Sequence, residues 1–235
     1  MSFFPILGVV MTDRKYYEAY DDRYRQVHSG NMQWFHNSPS PIVADVIRKY
    51  EILRCHRLLE IGCGEGRDAL PILKQGFHLL ATDVSPEAVS FCQKIFPEKR
   101  HQFRVLDCIA NELKESFDFI YAVAVIHMLV PDTDRNAFYH FIRTHLNPGG
   151  IALICTMGDG KEEFQSNIRT AFDLQTRMHS PTGTSVTVAG TSCRVVSFST
   201  FSAELNRNGL ETLEQGITCA EPDFPQMMYA VVKSL

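Results

Sequence analysis

The chain has 235 residues, 45% of them hydrophobic and 21% charged, enough to bury one large core and short for two full domains. Its formal net charge of -4 provides no broad basic field of the kind that holds phosphate backbones or anionic bilayers, which argues against nucleic acid and membranes as partners. The seven cysteines, Cys55, Cys63, Cys92, Cys108, Cys155, Cys193 and Cys219, are scattered and form no C-x-x-C pair. Neither a disulfide framework nor a zinc knuckle is expected, no metal site is predicted, and a reducing, cytoplasmic compartment fits best.

In chain order, the apolar stretch 3–11 has no basic residue before it and meets Asp13, Arg14 and Lys15 at once, so it reads as a packing segment, with a weak signal peptide as the alternative. Tyr16, Tyr17, Tyr20 and Tyr24 are spaced either as the core face of a helix or as an aromatic lid. From residue 57 to 157 short apolar runs alternate with amphipathic segments, the rhythm of βα units winding a parallel sheet. Strands are expected at 58–61, 79–82, 102–106, 117–126 and 151–155. Helices are expected at 68–75, closed by Gly76; at 86–96, capped by Ser85 with Pro86 in its first turn; and at 134–146. Asn147-Pro148-Gly149-Gly150 reads as a turn.

Beyond residue 157 the rhythm breaks. A polar helix is expected around 162–177, followed by a Gly/Ser/Thr-rich tract in which Val186, Val188, Val195 and Phe198 pattern as a hairpin. A helix at 201–208, stopped by Gly209, and strands at 210–217 and 228–232 close the chain. Two successive strands without a helix between them predict an antiparallel pair.

Leu58-Leu59-Glu60-Ile61-Gly62-Cys63-Gly64-Glu65-Gly66 sets three glycines between a buried strand and a helix, at the strand end where open α/β sheets bind ligands. The spacing is G-x-G-x-G. A dinucleotide cradle asks for G-x-G-x-x-G and a phosphate loop for a terminal Gly-Lys-Ser/Thr, so pyrophosphate is not the expected ligand. Glu60, just before the glycines, would repel phosphate and attract a cationic amino-acid group. Asp83 ends the second strand, where a carboxylate accepts hydrogen bonds from a ribose diol, and Asp107 ends the third, near the place of an adenine amino group. This pattern matches an adenosyl amino acid.

On these residues the sequence resembles the class I S-adenosylmethionine-dependent methyltransferases, with 59–66 as the glycine motif, 81–84 as the ribose motif, Leu106-Asp107-Cys108 as the adenine motif and 147–150 as the loop before the fifth strand. Asp22-Arg23-Tyr24, Trp34 and Pro39-Ser40-Pro41 resemble the amino-terminal segment of the small-molecule tellurite-resistance and thiopurine group, which folds over the cofactor and borders the substrate pocket. The stretch 60–68 is nearer the tellurite-resistance type. The resemblance implies an α/β fold: a Rossmann-like, seven-stranded, mostly parallel sheet with an antiparallel strand pair at its C-terminal end and helices on both faces. It also implies S-adenosylmethionine as methyl donor, S-adenosylhomocysteine as product, and cofactor contacts from Trp34, Glu60, Gly62, Cys63, Gly64, Gly66, Asp68, Asp83, Val84, Asp107, Cys108 and Val123. One domain is expected over 1–235, with 1–50 as lid, 57–157 as cofactor core, 158–200 as substrate-side insertion and 201–235 as the closing helix and strand pair.

Methyl transfer from a sulfonium is an in-line displacement that asks mainly for alignment and exclusion of water. A thiolate, selenide or telluride acceptor needs only positioning, whereas a hydroxyl or ammonium acceptor must lose a proton. His127, directly after the fourth strand, is the catalytic candidate on the acceptor side. Arg23, Arg25 and Arg67 are candidates for fixing a carboxylate. The stretch Ala122-Val123-Ala124-Val125-Ile126-His127 lacks the Asn/Asp-Pro-Pro-aromatic motif of methyltransferases that act on DNA bases or glutamine, so a small-molecule substrate is expected. Two alternatives stand beside this reading: a non-catalytic module that binds cofactor or partner on the same fold, and a Rossmann-type nucleotide-binding oxidoreductase.

Overall fold

The computed structural model describes residues 14–235; the apolar stretch 3–11 lies outside the described residues. Two helices, α1 (Ala19–Ser29) and α2 (Pro41–Lys49), precede the sheet. On α1 the buried residues Ala19, Arg23, Tyr24 and Val27 recur at helical spacing and form one face. Pro41 opens α2, where its fixed φ suits a first turn that has no use for its missing N–H.

The alternating core follows as expected: β1 (Arg57–Ile61), α3 (Ala69–Lys74), β2 (His78–Asp83), α4 (Pro86–Ile95), β3 (Phe103–Val105), β4 (Phe117–Val123), α5 (Asp132–His145) and β5 (Leu146–Met157). The Ser85 hydroxyl accepts the Ala88 N–H at 3.0 Å and caps α4. Residues 147–150 are a bulge inside β5: Phe117 pairs with Leu146 and Phe119 already with Ile151. The Asn147 side chain donates to Asp118 at 2.8 Å and holds the bulge in place.

The tract after β5 departs from expectation. Instead of a helix at 162–177 there are β6 (Phe164–Gln165), a short 3-10 turn and β7 (Leu174–His179), followed by β8 (Thr184–Ala189) and β9 (Arg194–Val195). The segment has no apolar stripe to bury as a helix, and the Asn167 side chain accepts the Arg169 N–H at 3.0 Å, turning the chain at once. The hairpin is also rearranged. Val186 and Val188 pair with β7, Val195 pairs with Phe164, and Phe198 begins a helix.

That helix is α6 (Phe198–Arg207), and β10 (Leu210–Ala220) and β11 (Phe224–Ser234) end the chain. The sheet runs β10-β11-β5-β4-β1-β2-β3, with β11 antiparallel to both its neighbours and the remaining pairs parallel. This is the expected architecture. Along β1, Leu58 packs with Ile42, Val46, Ile72 and Val89 from α2, α3 and α4, while Leu59 packs with Phe138, Ile142, Phe201 and Leu205 from α5 and α6. Helices therefore cover both faces. Strand order reverses between β1 and its neighbour β4, which opens a crevice at their C-terminal ends.

Candidate active site

The floor of the crevice is the loop after β1. Gly62, Gly64 and Gly66 hold φ values of 75°, 51° and 84°, a region that side chains with a Cβ enter only at a cost. The N–H groups of Gly62 and Cys63 both donate to the Thr82 carbonyl, at 2.7 and 2.8 Å, which ties the loop to β2. A Cβ on Gly62 would lie 2.3 Å from Val125 Cγ2, and one on Gly64 would lie 2.7 Å from the Tyr24 hydroxyl.

Two carboxyl groups flank the floor. Asp83 is buried, and it accepts the Gly64 N–H and the Ser85 N–H, each at 2.8 Å. Burial nevertheless pushes its pKa up to about 6, against the pull of those two hydrogen bonds. Glu60 takes a 3.1 Å hydrogen bond from the Tyr121 hydroxyl. Burial drives its pKa well above the usual carboxylate range, and the Asp68 carboxylate adds to the rise.

The roof is the strap between α1 and α2 together with Tyr20 and Tyr24. Glu65, inside the glycine loop, accepts the backbone N–H groups of Trp34 and Phe35 at 2.7 and 3.0 Å and meets His28 Nε2 at 2.9 Å. Asp68 accepts both the N–H and the hydroxyl of Ser40, at 2.6 and 2.9 Å. Between floor and roof lies a concave cavity at the C-terminal ends of β1 and β4, where open α/β sheets bind ligands. Its wall includes Phe35, His36, Asn37, Arg67, Met128 and Phe224. The Arg67 guanidinium sits over the rings of Phe35 and Phe224, at 5.8 and 5.4 Å, and donates from Nη2 to Asp68 at 3.3 Å. Its Nε and Nη1 are buried with no partner among the described residues.

Of the residues singled out from sequence, Glu60, Gly62, Cys63, Gly64, Asp68, Asp83, Val84 and Val123 come together around this cavity. Gly66 lies behind the loop, packed against Cys92 and Leu70. Trp34 turns its ring toward Arg23 and His179, while the backbone of its strap is what meets the site. Asp107 is taken up by Lys15 at 2.7 Å and the Tyr17 hydroxyl at 2.9 Å, and neither it nor Cys108 is on the cavity wall. His127 is also absent from the wall. It is buried, its Nδ1 has no partner among the described residues, and burial, aided by the charges of Arg135 and Arg23, lowers its pKa to about 3. The sequence reading did not single out Phe35, His36, Asn37 or Phe224; only the proximity of the first three to Trp34 hinted at them.

A family model described as a methyltransferase domain matches residues 59–152. Residues 59–152 are thus similar to a methyltransferase domain. The matched methyltransferase segment contains the whole glycine loop, Asp83 and the end of β4. Hemagglutinin 1 of Eikenella corrodens is 31% identical over 109 residues, which cover 44% of this chain and 35% of that protein. A protein of Haemophilus influenzae named probable S-adenosyl-L-methionine-dependent methyltransferase TehB is 26% identical over 119 residues, covering 48% of this chain and 40% of that one. The chain thus matches less than half the length of either relative. The structure of a TehB-like SAM-dependent methyltransferase from Corynebacterium glutamicum shares the fold, with a TM-score of 0.56 and 20% identity over 93% of this chain and 97% of that one.

Proposed function

We propose that this chain binds S-adenosylmethionine in the cavity above the glycine loop and catalyses transfer of its methyl group to a small-molecule acceptor. The observation that carries the reading is the cradle itself: glycines whose Cβ positions are already filled by Val125 and Tyr24, flanked by Glu60 and Asp83. The wall fits an adenosyl amino acid in its charges as well. Arg67 offers unpartnered N–H donors to a carboxylate, and Glu60 offers a carboxyl group to an ammonium.

Bound there, the sulfonium supplies an activated methyl group. The residues of this chain bind, orient and exclude water. Backbone groups of 62–65 would border the ligand, Asp83 would accept from the ribose diol, and an ammonium beside Glu60 would draw its carboxyl group back to the ionised form. Asp107 and Cys108 are assigned to the adenine side. The Trp34 strap, fastened by Glu65, closes the site against solvent. His127 is assigned to acceptor handling through the turn it shares with Met128, which lines the cavity; a pKa near 3 is poorly matched to removing a proton at neutral pH. Residues 158–200 are assigned to the acceptor side of a single domain over 1–235, and the unpaired state of all seven cysteines supports a cytoplasmic setting.

Calorimetry with S-adenosylhomocysteine tests the donor assignment. Wild-type protein should bind it, and Asp83→Ala should weaken binding by about tenfold or more, the loss of one or two charge-assisted hydrogen bonds. No binding by the wild type, or unchanged affinity in the variant, would overturn the reading.

A further inference from the structure

We propose that His36, oriented by Asp223, takes the proton of the methyl acceptor, and that the acceptor is therefore a hydroxyl group of phenolic or enolic acidity. The proposal rests on the donor assignment above and names the acceptor chemistry of the same cavity. His36 and Asp223 come from the two ends of the chain. The backbone N–H of His36 donates to Asp223 Oδ2 at 2.9 Å, and His36 Nδ1 meets Oδ1 of the same carboxylate at 3.0 Å. The Asp223 side chain is 4% exposed and that of His36 is 30% exposed.

A carboxylate only accepts, so Nδ1 carries the ring hydrogen and Nε2 presents a lone pair. Nε2 has no partner among the described residues, and His36 lines the cavity beside Asn37 and Phe224. Holding the strap does not require this ring contact, because Glu65 and the backbone bond to Asp223 already fasten it. The second contact fixes the tautomer and the plane of the imidazole. A soft anion such as a thiolate or selenide has no use for a lone pair held in this way, whereas a hydroxyl does. Phe35 and Phe224 supply flat apolar walls for a ring that would carry the hydroxyl.

The step balances. A lone pair of the acceptor oxygen forms the O–CH3 bond, the S–CH3 bond breaks with its electron pair going to sulfur, and the hydroxyl proton passes to Nε2. The resulting imidazolium is paired with Asp223 until water removes the proton.

The test uses the full chain. Nitrogen-resolved NMR of His36 should show the hydrogen on Nδ1 in the wild type and on Nε2 in Asp223→Asn, where the amide can donate to Nδ1 while its oxygen still accepts the His36 N–H. Catechol, 4-hydroxybenzoate and acetylacetone are then compared with benzenethiol and selenite for release of S-adenosylhomocysteine. At least one hydroxyl probe should be turned over, and His36→Gln and Asp223→Asn should each lower that rate by about a hundredfold while S-adenosylhomocysteine affinity stays within about threefold. The proposal is overturned by full turnover in His36→Gln, by turnover of benzenethiol or selenite alone, by silence of all hydroxyl probes in protein that binds S-adenosylhomocysteine, or by a wild-type hydrogen on Nε2. Failure of the wild type to bind S-adenosylhomocysteine would instead bring down the donor assignment.

Discussion

The Glu65 carboxylate accepts the backbone N–H of Trp34 at 2.7 Å, so the loop that floors the cavity also fastens the strap that roofs it. Phe35 N–H uses the second oxygen at 3.0 Å. Glu65→Gln keeps one acceptor and turns an amide NH2 toward the other N–H, leaving a buried donor unpaired. The expected cost is about 1–3 kcal/mol in urea denaturation, with faster hydrogen exchange confined to Trp34 and Phe35. Exchange rates equal to wild type at both amides would show that the carboxylate does not hold the strap.

His28 lies between Glu65 and Glu87, at 2.9 and 2.8 Å, and stacks on Phe91. Burial works against its charged form, but hydrogen bonds to the two carboxylates outweigh this and raise its pKa above the ordinary 6.5. A histidine whose folded pKa is raised contributes stability that is complete below its unfolded pKa and is lost as pH rises through the folded value. Melting temperature should therefore fall as pH is raised from 6.5 through that elevated value. His28→Gln should flatten this part of the profile, and a slope unchanged in the variant would assign it to another group.

Asp83 also has a raised folded pKa, but here because burial disfavours the charged form. With its pKa pushed up to about 6 by burial, ionisation costs folding stability as pH rises from 3.8, the usual value, to about 6. The ionised form is also the better acceptor for ribose hydroxyls. Affinity for S-adenosylhomocysteine should rise as pH passes about 6, and that rise, distinct from the one Glu60 contributes as its own raised pKa is passed, should vanish in Asp83→Asn. Calorimetry across pH 5 to 7.5 reads both, and a rise that persists in the variant would remove Asp83 as its source.

How much of this was legible in the sequence depends on whether the cause is local. β1, β2, β4 and the glycine loop could be read because apolar runs and glycines act where they stand, and Asp83 because it ends a strand. Residues 162–177 were misread as a helix because a polar stretch without an apolar stripe takes its shape from its partners: Leu174 and Met178 on β7 are both exposed, and pairing with β8 is what holds them. Asp107 follows β3 by two residues, but Lys15 and Tyr17 reach across and take its carboxylate. His36, Asp223 and Phe224 meet only because β11 returns beside β5, and no local pattern in either segment announces that contact.

Arg135 is buried in the first turn of α5, and its guanidinium donates to Glu204 through Nε and Nη2 at 2.8 and 2.6 Å. Nη1 donates to the carbonyls of Ile126 and Leu129, at 2.9 and 3.2 Å, fixing the turn that carries Met128 to the cavity. Arg135→Met leaves the buried Glu204 with the Tyr139 hydroxyl at 2.7 Å and, farther off, Arg194 Nη2 at 3.6 Å, at a cost of up to about 3–5 kcal/mol. Arg135→Met with Glu204→Leu should recover much of that loss, since no uncompensated charge remains. Chemical denaturation of the two variants checks this, and equal stability would mean that the cost comes from the freed carbonyls and not from the stranded carboxylate.

Gly62 separates two reasons for a glycine. Its φ of 75° disfavours any side chain, and a Cβ there would also meet Val125 Cγ2 at 2.3 Å. The second conflict can be relieved and the first cannot. Gly62→Ala should cost about 2–4 kcal/mol, the sum of backbone strain and overpacking. Val125→Ala alone should cost about 1–2 kcal/mol, because Val125 is 8% exposed and loses packing. In Gly62→Ala/Val125→Ala the new methyl group fills part of the space the valine gave up, so the double variant should be more stable than the two single costs predict, by about 1 kcal/mol or more. Strict additivity in urea denaturation would show that backbone conformation alone demands glycine at this position. A coupling of the expected sign would mean that contact between the ends of β1 and β4 also sets how closely the glycine loop approaches its ligand.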